Sequence, residues 1–211
     1  DDEAFSREHT RSSQELTGNV TAGRDLEHFT AGLSSVFRAS AEALEEGAPF
    51  VFTYHHNDVK AYVPIVVAIL DAGLECTATL PCPAEMRASL HIQGTGSSIV
   101  DTVVVCRKTN GSGRSVSVER ETLERWLESD REKLSSGGIR CTAGDLYCMA
   151  MGHLARVSVA TLATDWNPKL STKKKIDRAD RVLRAAVERC DVSELVPEIA
   201  AGLRREFSEV D

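Results

Sequence analysis

Apolar residues recur at three- and four-residue steps through Leu26, Phe29, Leu33, Val36, Phe37 and Leu44, which predicts an amphipathic helix over residues 25–46. Asp25 is placed to cap its start, and Gly47 can supply the left-handed stop after Glu45 and Glu46. Phe50-Val51-Phe52-Thr53-Tyr54 follows, a short β-branched and aromatic run. Its near-continuous apolarity predicts a strand covered on both faces, as in a parallel sheet. Asn57 or Asp58 can then cap a second helix through Tyr62, Ile65, Val66, Ile69 and Leu70, closed by Asp71-Ala72-Gly73. Pro64 lacks a backbone donor, so it should kink this helix or mark its effective start. Residues 74–80 read as the next strand, ended sharply by Pro81-Cys82-Pro83, because neither proline can donate to a ladder. A connection of about twenty residues leads on to a third strand over 101–107, and compact domains seldom carry such a length without function or disorder.

Beyond this point the periodicity is helical throughout. Residues 108–117, with Asn110-Gly111-Ser112-Gly113 at their centre, read as a linker. Ser117 starts a charged helix carrying Leu123, Trp126, Leu127 and Leu134, which Ser135-Ser136-Gly137-Gly138 ends. Thr142 or Asp145 begins a more apolar helix to about residue 164, and Ser171 caps a basic helix over 173–190. The last helix spans 192–207, where Pro197 is tolerable in the first turn only. The expected organisation is therefore a lead-in segment (1–24), an α/β part (25–107), a linker (108–117) and a helical extension (118–211), with no internal repeat.

Composition changes this picture little. Hydrophobic residues make up 42% and charged residues 27% of 211, which is ordinary for a globular protein. The chain opens Asp1-Asp2-Glu3 without a basic region or an apolar core of a signal peptide, and its longest apolar run, residues 63–70, is too short to span a bilayer. A soluble, cytoplasmic protein with no membrane partner is expected. The net charge of −7 shows no basic patch that would itself point to nucleic acid. The cysteines at 76, 82, 106, 141, 148 and 190 form no Cys-x-x-Cys pair and none sits near a histidine at zinc-ligand spacing, so they read as reduced core residues, and no metal is expected.

In an open α/β sheet, ligands bind beyond the carboxyl ends of the parallel strands. Two polar segments fall there. One is Tyr54-His55-His56-Asn57, whose adjacent histidines should point to opposite faces, leaving one of them structural. The other is the long loop with Glu85, Met86, Arg87, Ser89 and His91, where Glu85 and Arg87 either fix a substrate or pair with each other. Thr95-Gly96-Ser97-Ser98 could accept a phosphate but opens no helix. Lys173-Lys174-Lys175 is either a DNA-backbone contact or a solvated helix start. Absent are a Gly-x-Gly-x-x-Gly loop, a phosphate loop, a nucleophile elbow and an Asn/Asp-Pro-Pro-aromatic motif.

The third strand starts from the edge at which the second ends, so it should run antiparallel to it. A strand–helix–strand unit closed in this way is the finish of a Rossmann-like methyltransferase sheet. Several blocks resemble one family. Glu15-Leu16-Thr17-Gly18-Asn19, Gly23-Arg24-Asp25-Leu26-Glu27-His28-Phe29, residues 50–56, Ala68-Ile69-Leu70-Asp71-Ala72-Gly73-Leu74 and Leu80-Pro81-Cys82-Pro83-Ala84-Glu85-Met86 are similar to the large prokaryotic adenine-specific DNA methyltransferases, some of them associated with phage defence. The resemblance covers about residues 5–107. It implies N6-adenine methylation with S-adenosylmethionine, DNA as the partner of the parent enzyme, and possible partner proteins of a defence system. The family's cofactor loop and Asp-Pro-Pro-Tyr motif come earlier in its chains and are missing here, so no catalytic or cofactor residue carries over. Two other classes stay open: a non-catalytic α/β interaction module of a defence complex, and a Rossmann-like methyltransferase acting on RNA or a small molecule.

Overall fold

The computed structural model describes residue 16 and residues 24–84, 99–109 and 116–208. In chain order these form α1 (Leu26–Ala43), β1 (Phe50–Tyr54), α2 (Val59–Asp71), β2 (Leu74–Pro83), β3 (Val100–Lys108), α3 (Arg120–Ser136), α4 (Ala143–Ala163), α5 (Thr172–Arg189) and α6 (Val192–Ser208). The protein is α/β. Among the described residues, three strands form one sheet in the order β1-β3-β2, with β3 antiparallel to both neighbours. The expected antiparallel third strand is thus present, and it is inserted between two strands that run parallel to each other.

Helix starts follow local chemistry. Asp25 accepts the His28 amide at 2.9 Å, Asp58 accepts that of Lys60 at 2.9 Å, and Thr142 with Asp145 makes a reciprocal capping box. Ser171 caps α5 as expected. Ser117 does not start α3, which begins at Arg120 behind Glu119 without a side-chain cap. Helix α1 ends at Ala43, and Gly47 (φ 76°) serves the turn that follows.

Both helix prolines sit deeper than expected. Pro64 and Pro197 each occupy the sixth position of an unbroken helix, α2 and α6. In each case the residue whose carbonyl loses its donor, Lys60 or Ser193, is exposed, so water is at hand to replace the missing bond. The prolines of β2 are likewise accommodated: the strand continues through Pro83, with Pro81 opposite Thr102 and Pro83 opposite Val100. The strand is at the sheet edge, where a missing donor can face away from the ladder.

One face of the sheet carries the core. Phe50, Phe52 and Tyr54 lie in register with Cys106, Val104 and Thr102. Phe37 of α1 meets Phe50 and Phe52 with ring centroids 5.0 and 5.1 Å apart, and Tyr62 of α2 meets Tyr54 at 5.1 Å. Helix α4 lies on the same face. It is long and apolar enough by length and composition to cross a membrane, yet 72% of that stretch is buried inside the protein. The other face stays open at Val51, 50% exposed, and Leu80, 45% exposed. The strand β1 therefore alternates instead of being covered on both sides, and its apolar run reflects one-sided packing plus β propensity.

The helical stretch after the linker joins this core. Leu123, Leu127, Met151, Leu154, Leu183 and Leu195 belong to the same buried cluster as Val66, Ile69 and Val104. Two buried polar links tie the parts together. Asp71 at the end of α2 accepts Lys175 Nζ at 2.8 Å and Trp166 Nε1 at 3.0 Å. His153 Nε2 pairs with Asp130 at 2.8 Å, while its Nδ1 meets the Thr79 hydroxyl at 3.0 Å, joining α4, α3 and β2. Lys175 is thus neither a solvated lysine nor a DNA contact, whereas Lys173 and Lys174 are exposed. Helix α1 buries Thr30, Ser34, Phe37 and Ala41, while Leu26 and Val36 are exposed. Small side chains form most of this buried stripe, so apolar periodicity alone marks the wrong part of the helix circumference.

Candidate functional site

A hollow of about 360 Å³ lies beyond the carboxyl end of β1. Tyr54 and His56 form one wall, Ala61 and Pro64 of α2 another, and Arg24, Asp25, Leu26 and Phe29 the third. Topology explains the meeting. Helix α1 runs into β1 and helix α2 runs out of it, so both helices start at the same sheet edge.

The two histidines diverge, as alternation along an extended chain requires. His55 turns toward β3: its Nδ1 lies 3.0 Å from the Val100 carbonyl and 3.4 Å from Asp101. That nitrogen therefore carries a proton and donates it to the carbonyl, a structural role. His56 lines the hollow. Its Nδ1 accepts the Asp58 amide at 2.9 Å, which leaves Nε2 to carry the proton of the neutral ring. Asn57 does not line the hollow, and its Oδ1 accepts the Cys148 thiol at 3.2 Å.

Tyr54 offers its ring and not its hydroxyl, which donates to the Ala61 carbonyl at 2.8 Å. Burial pushes that hydroxyl up to about 12. Tyr62 donates to the His56 carbonyl at 3.2 Å and is raised as well, first by burial and then by Cys148. Tyr147 is raised by burial and by nearby Asp58 and Cys148. These are the three tyrosines of the chain, so in the folded protein each should ionise above the ordinary value of 10.0, Tyr54 and Tyr62 the furthest. Their pKa values rise on folding, so this contribution to stability is whole below about pH 10 and declines as pH climbs through the folded values. A spectrophotometric titration checks this. A reversible one-tyrosine step at or below pH 10 with intact circular dichroism would contradict it.

Glu85, Met86, Arg87, Ser89 and His91, and Thr95 to Ser98, lie outside the described residues. The anchors of their loop are described. The Ala84 amide donates to the Ile99 carbonyl at 2.9 Å, and the Ile99 amide donates to Asp145 at 2.7 Å. Both anchors stand at the sheet end where His55 meets Val100. A larger hollow of about 440 Å³, lined by Arg38, Glu42, Glu46, Gly73 and Lys108, is at the opposite sheet end and includes none of the expected site residues.

Arg24, Leu26, Phe29, Ala61 and Pro64 were not among the expected site residues. The signal for them was available: Asp25 and Asp58 are both helix caps, and helices on either side of one strand begin at one edge. The lining supplies aromatic surface from Phe29 and Tyr54, an imidazole and a guanidinium. Among the described residues it contains no serine, threonine, cysteine or lysine, and its one carboxylate, Asp25, accepts the His28 amide as a helix cap, so these side chains suit holding a planar polar group better than attacking it. Among the described residues, no group of three or more His, Cys, Asp or Glu could hold a metal ion. The positive-φ glycines described, Gly47, Gly73 and Gly138, each follow a helix; none opens a loop after a strand of the kind that cradles a nucleotide cofactor.

Comparison with known proteins returns no relative: no family model, no curated protein and no solved structure matches the chain.

Proposed function

We propose that this chain is the closing part of the catalytic domain of a DNA adenine-N6 methyltransferase, acting in restriction–modification or phage defence in the cytoplasm. The observation that carries the reading is the sheet: two parallel strands linked by α2, with an antiparallel third strand, and a pocket at the carboxyl end of β1. Three of the blocks resembling the adenine methyltransferases, residues 50–56, 68–74 and 80–86, overlap β1, α2 and β2. The open face at Val51 and Leu80, and the edge of β1, which among the described residues pairs only with β3, fit a sheet that continues into a further part.

In this reading the upstream part supplies S-adenosylmethionine and the catalytic motif, and no residue of this chain is assigned to the cofactor. Tyr54 and His56 line the side of the pocket on which an adenine enters, and Glu85, Met86, Arg87, Ser89 and His91 are assigned to the same substrate. Their roles are positional. His55 and Asn57 support the wall from behind, through Val100 and Cys148.

Replacing His56 and Glu85 with alanine in the full-length protein should lower methyl transfer or DNA affinity by tenfold or more, on the order of 1.4 kcal/mol each. Unchanged values for both would sink the assignment. The 211-residue chain alone should show no methyl transfer and bind S-adenosylmethionine weakly or not at all. Micromolar binding by calorimetry would overturn that expectation.

A further inference from the structure

We propose that Cys76 and Cys106 form a reversible cross-strand disulfide when the protein meets a peroxide. The two residues stand directly opposite each other in the antiparallel β2–β3 ladder, and both are free thiols. Directly opposed residues in such a ladder have Cα atoms about 4.5–5.5 Å apart. A disulfide spans about 4.4–6.8 Å. No change of register is needed to join them.

The Cys76 thiol donates to the Ala78 carbonyl at 3.6 Å. The ladder breaks register between Cys76 and Ala78, placing Thr77 as the extra residue of a bulge. A bulge beside the pair lets the β2 backbone adjust as the sulfurs close.

Exposure sets the order of events. Cys76 is partly exposed, whereas Cys106 is fully buried. The neighbouring Cys76 and burial hold the Cys106 thiol well above its ordinary range, so the partly exposed Cys76 is the thiol that peroxide reaches and oxidises first. The Cys76 thiolate attacks one oxygen of hydrogen peroxide. The O–O bond breaks, and the departing hydroxide takes up the thiol's proton as water. Cys76 is then a sulfenic acid. The Cys106 sulfur attacks the Cys76 sulfur, the S–O bond breaks, and the hydroxyl leaves with the Cys106 proton as a second water. Two thiols are oxidised by two electrons, and one peroxide is reduced to two waters.

The bond would join β2 to β3 toward the sheet end opposite the one from which the 85–98 connection leaves. The test is peptide mapping of the folded 211-residue chain after hydrogen peroxide treatment, without reductant. The proposal expects a linked pair of peptides holding Cys76 and Cys106, released by dithiothreitol, and a thermal midpoint raised by several degrees. C106S should leave a Cys76 sulfenic acid that dimedone traps. The proposal is overturned if Cys76 proceeds to sulfinic acid in the folded wild-type protein while Cys106 stays reduced. It is equally overturned if the linked peptides appear only after urea unfolding.

Discussion

Asp71→Ala is expected to destabilise the protein by about 3–5 kcal/mol, because it leaves the Lys175 ammonium buried without its carboxylate. The side chains of Lys175 and Asp71 are only 9% and 6% exposed, and their N···O distance is 2.8 Å. The same change strands the Trp166 indole, which donates to Asp71 at 3.0 Å. Asp71→Asn should cost less, since it retains an acceptor for Trp166. The double change Asp71→Ala with Lys175→Met should recover part of the loss, because it removes the unpaired buried charge while the Trp166 indole stays without its acceptor. Urea midpoints of the four proteins decide it. A loss under about 1 kcal/mol for Asp71→Ala would place this pair with surface ion pairs in energetic terms. It would also mean that α5 is held to α2 by apolar contact alone.

Gly152→Ala should also destabilise, although alanine is the better helix former by about 1 kcal/mol. A Cβ at this position of α4 would stand 2.6 Å from Thr102 Cγ2 and 3.0 Å from its Oγ1. Thr102 is 2% exposed and sits on the central strand, so it has no room to withdraw. Overpacking of this kind costs about 1–3 kcal/mol. Gly152→Val should be worse than Gly152→Ala. Thr102→Ala removes the two nearest atoms, so the double variant with Gly152→Ala should regain part of the loss in a double-mutant cycle. Strict additivity would contradict the contact, and with it the close seat of α4 on the sheet.

Much of the fold was legible because it is governed locally. Asp25, Asp58, Thr142 and Ser171 cap helices at the places their chemistry suggests, and β1 has the bounds its composition marks. What was not legible depends on partners distant in sequence. Pro81 and Pro83 stay within β2 because β3 occupies the centre of the sheet, and nothing near the prolines states that order. The buried stripe of α1 runs through Thr30, Ser34 and Ala41 because neighbours pack close there, a property of the contact and not of periodicity. Pro64 and Pro197 are accommodated by exposure four residues earlier, which only the folded chain reveals.

The candidate site was legible in half. A strand end followed by paired histidines marks Tyr54 and His56, and alternation separates His56 from His55. The opposite wall comes from the starts of α1 and α2, brought together by connectivity. Arg24 and Phe29 carry no local sign of a site. His153, Asp130 and Thr79 form a buried link across three elements that no spacing announces.

The measurement that bears most directly on the proposed function is methyl transfer by the full-length protein. Adenine-containing DNA and an RNA of the same sequence would be incubated with labelled S-adenosylmethionine, and the nucleosides analysed by mass spectrometry. The proposed function predicts N6-methyladenine in the DNA alone, and its reduction in the His56→Ala and Glu85→Ala variants. Methylated RNA, or no methyl transfer to either, would contradict it.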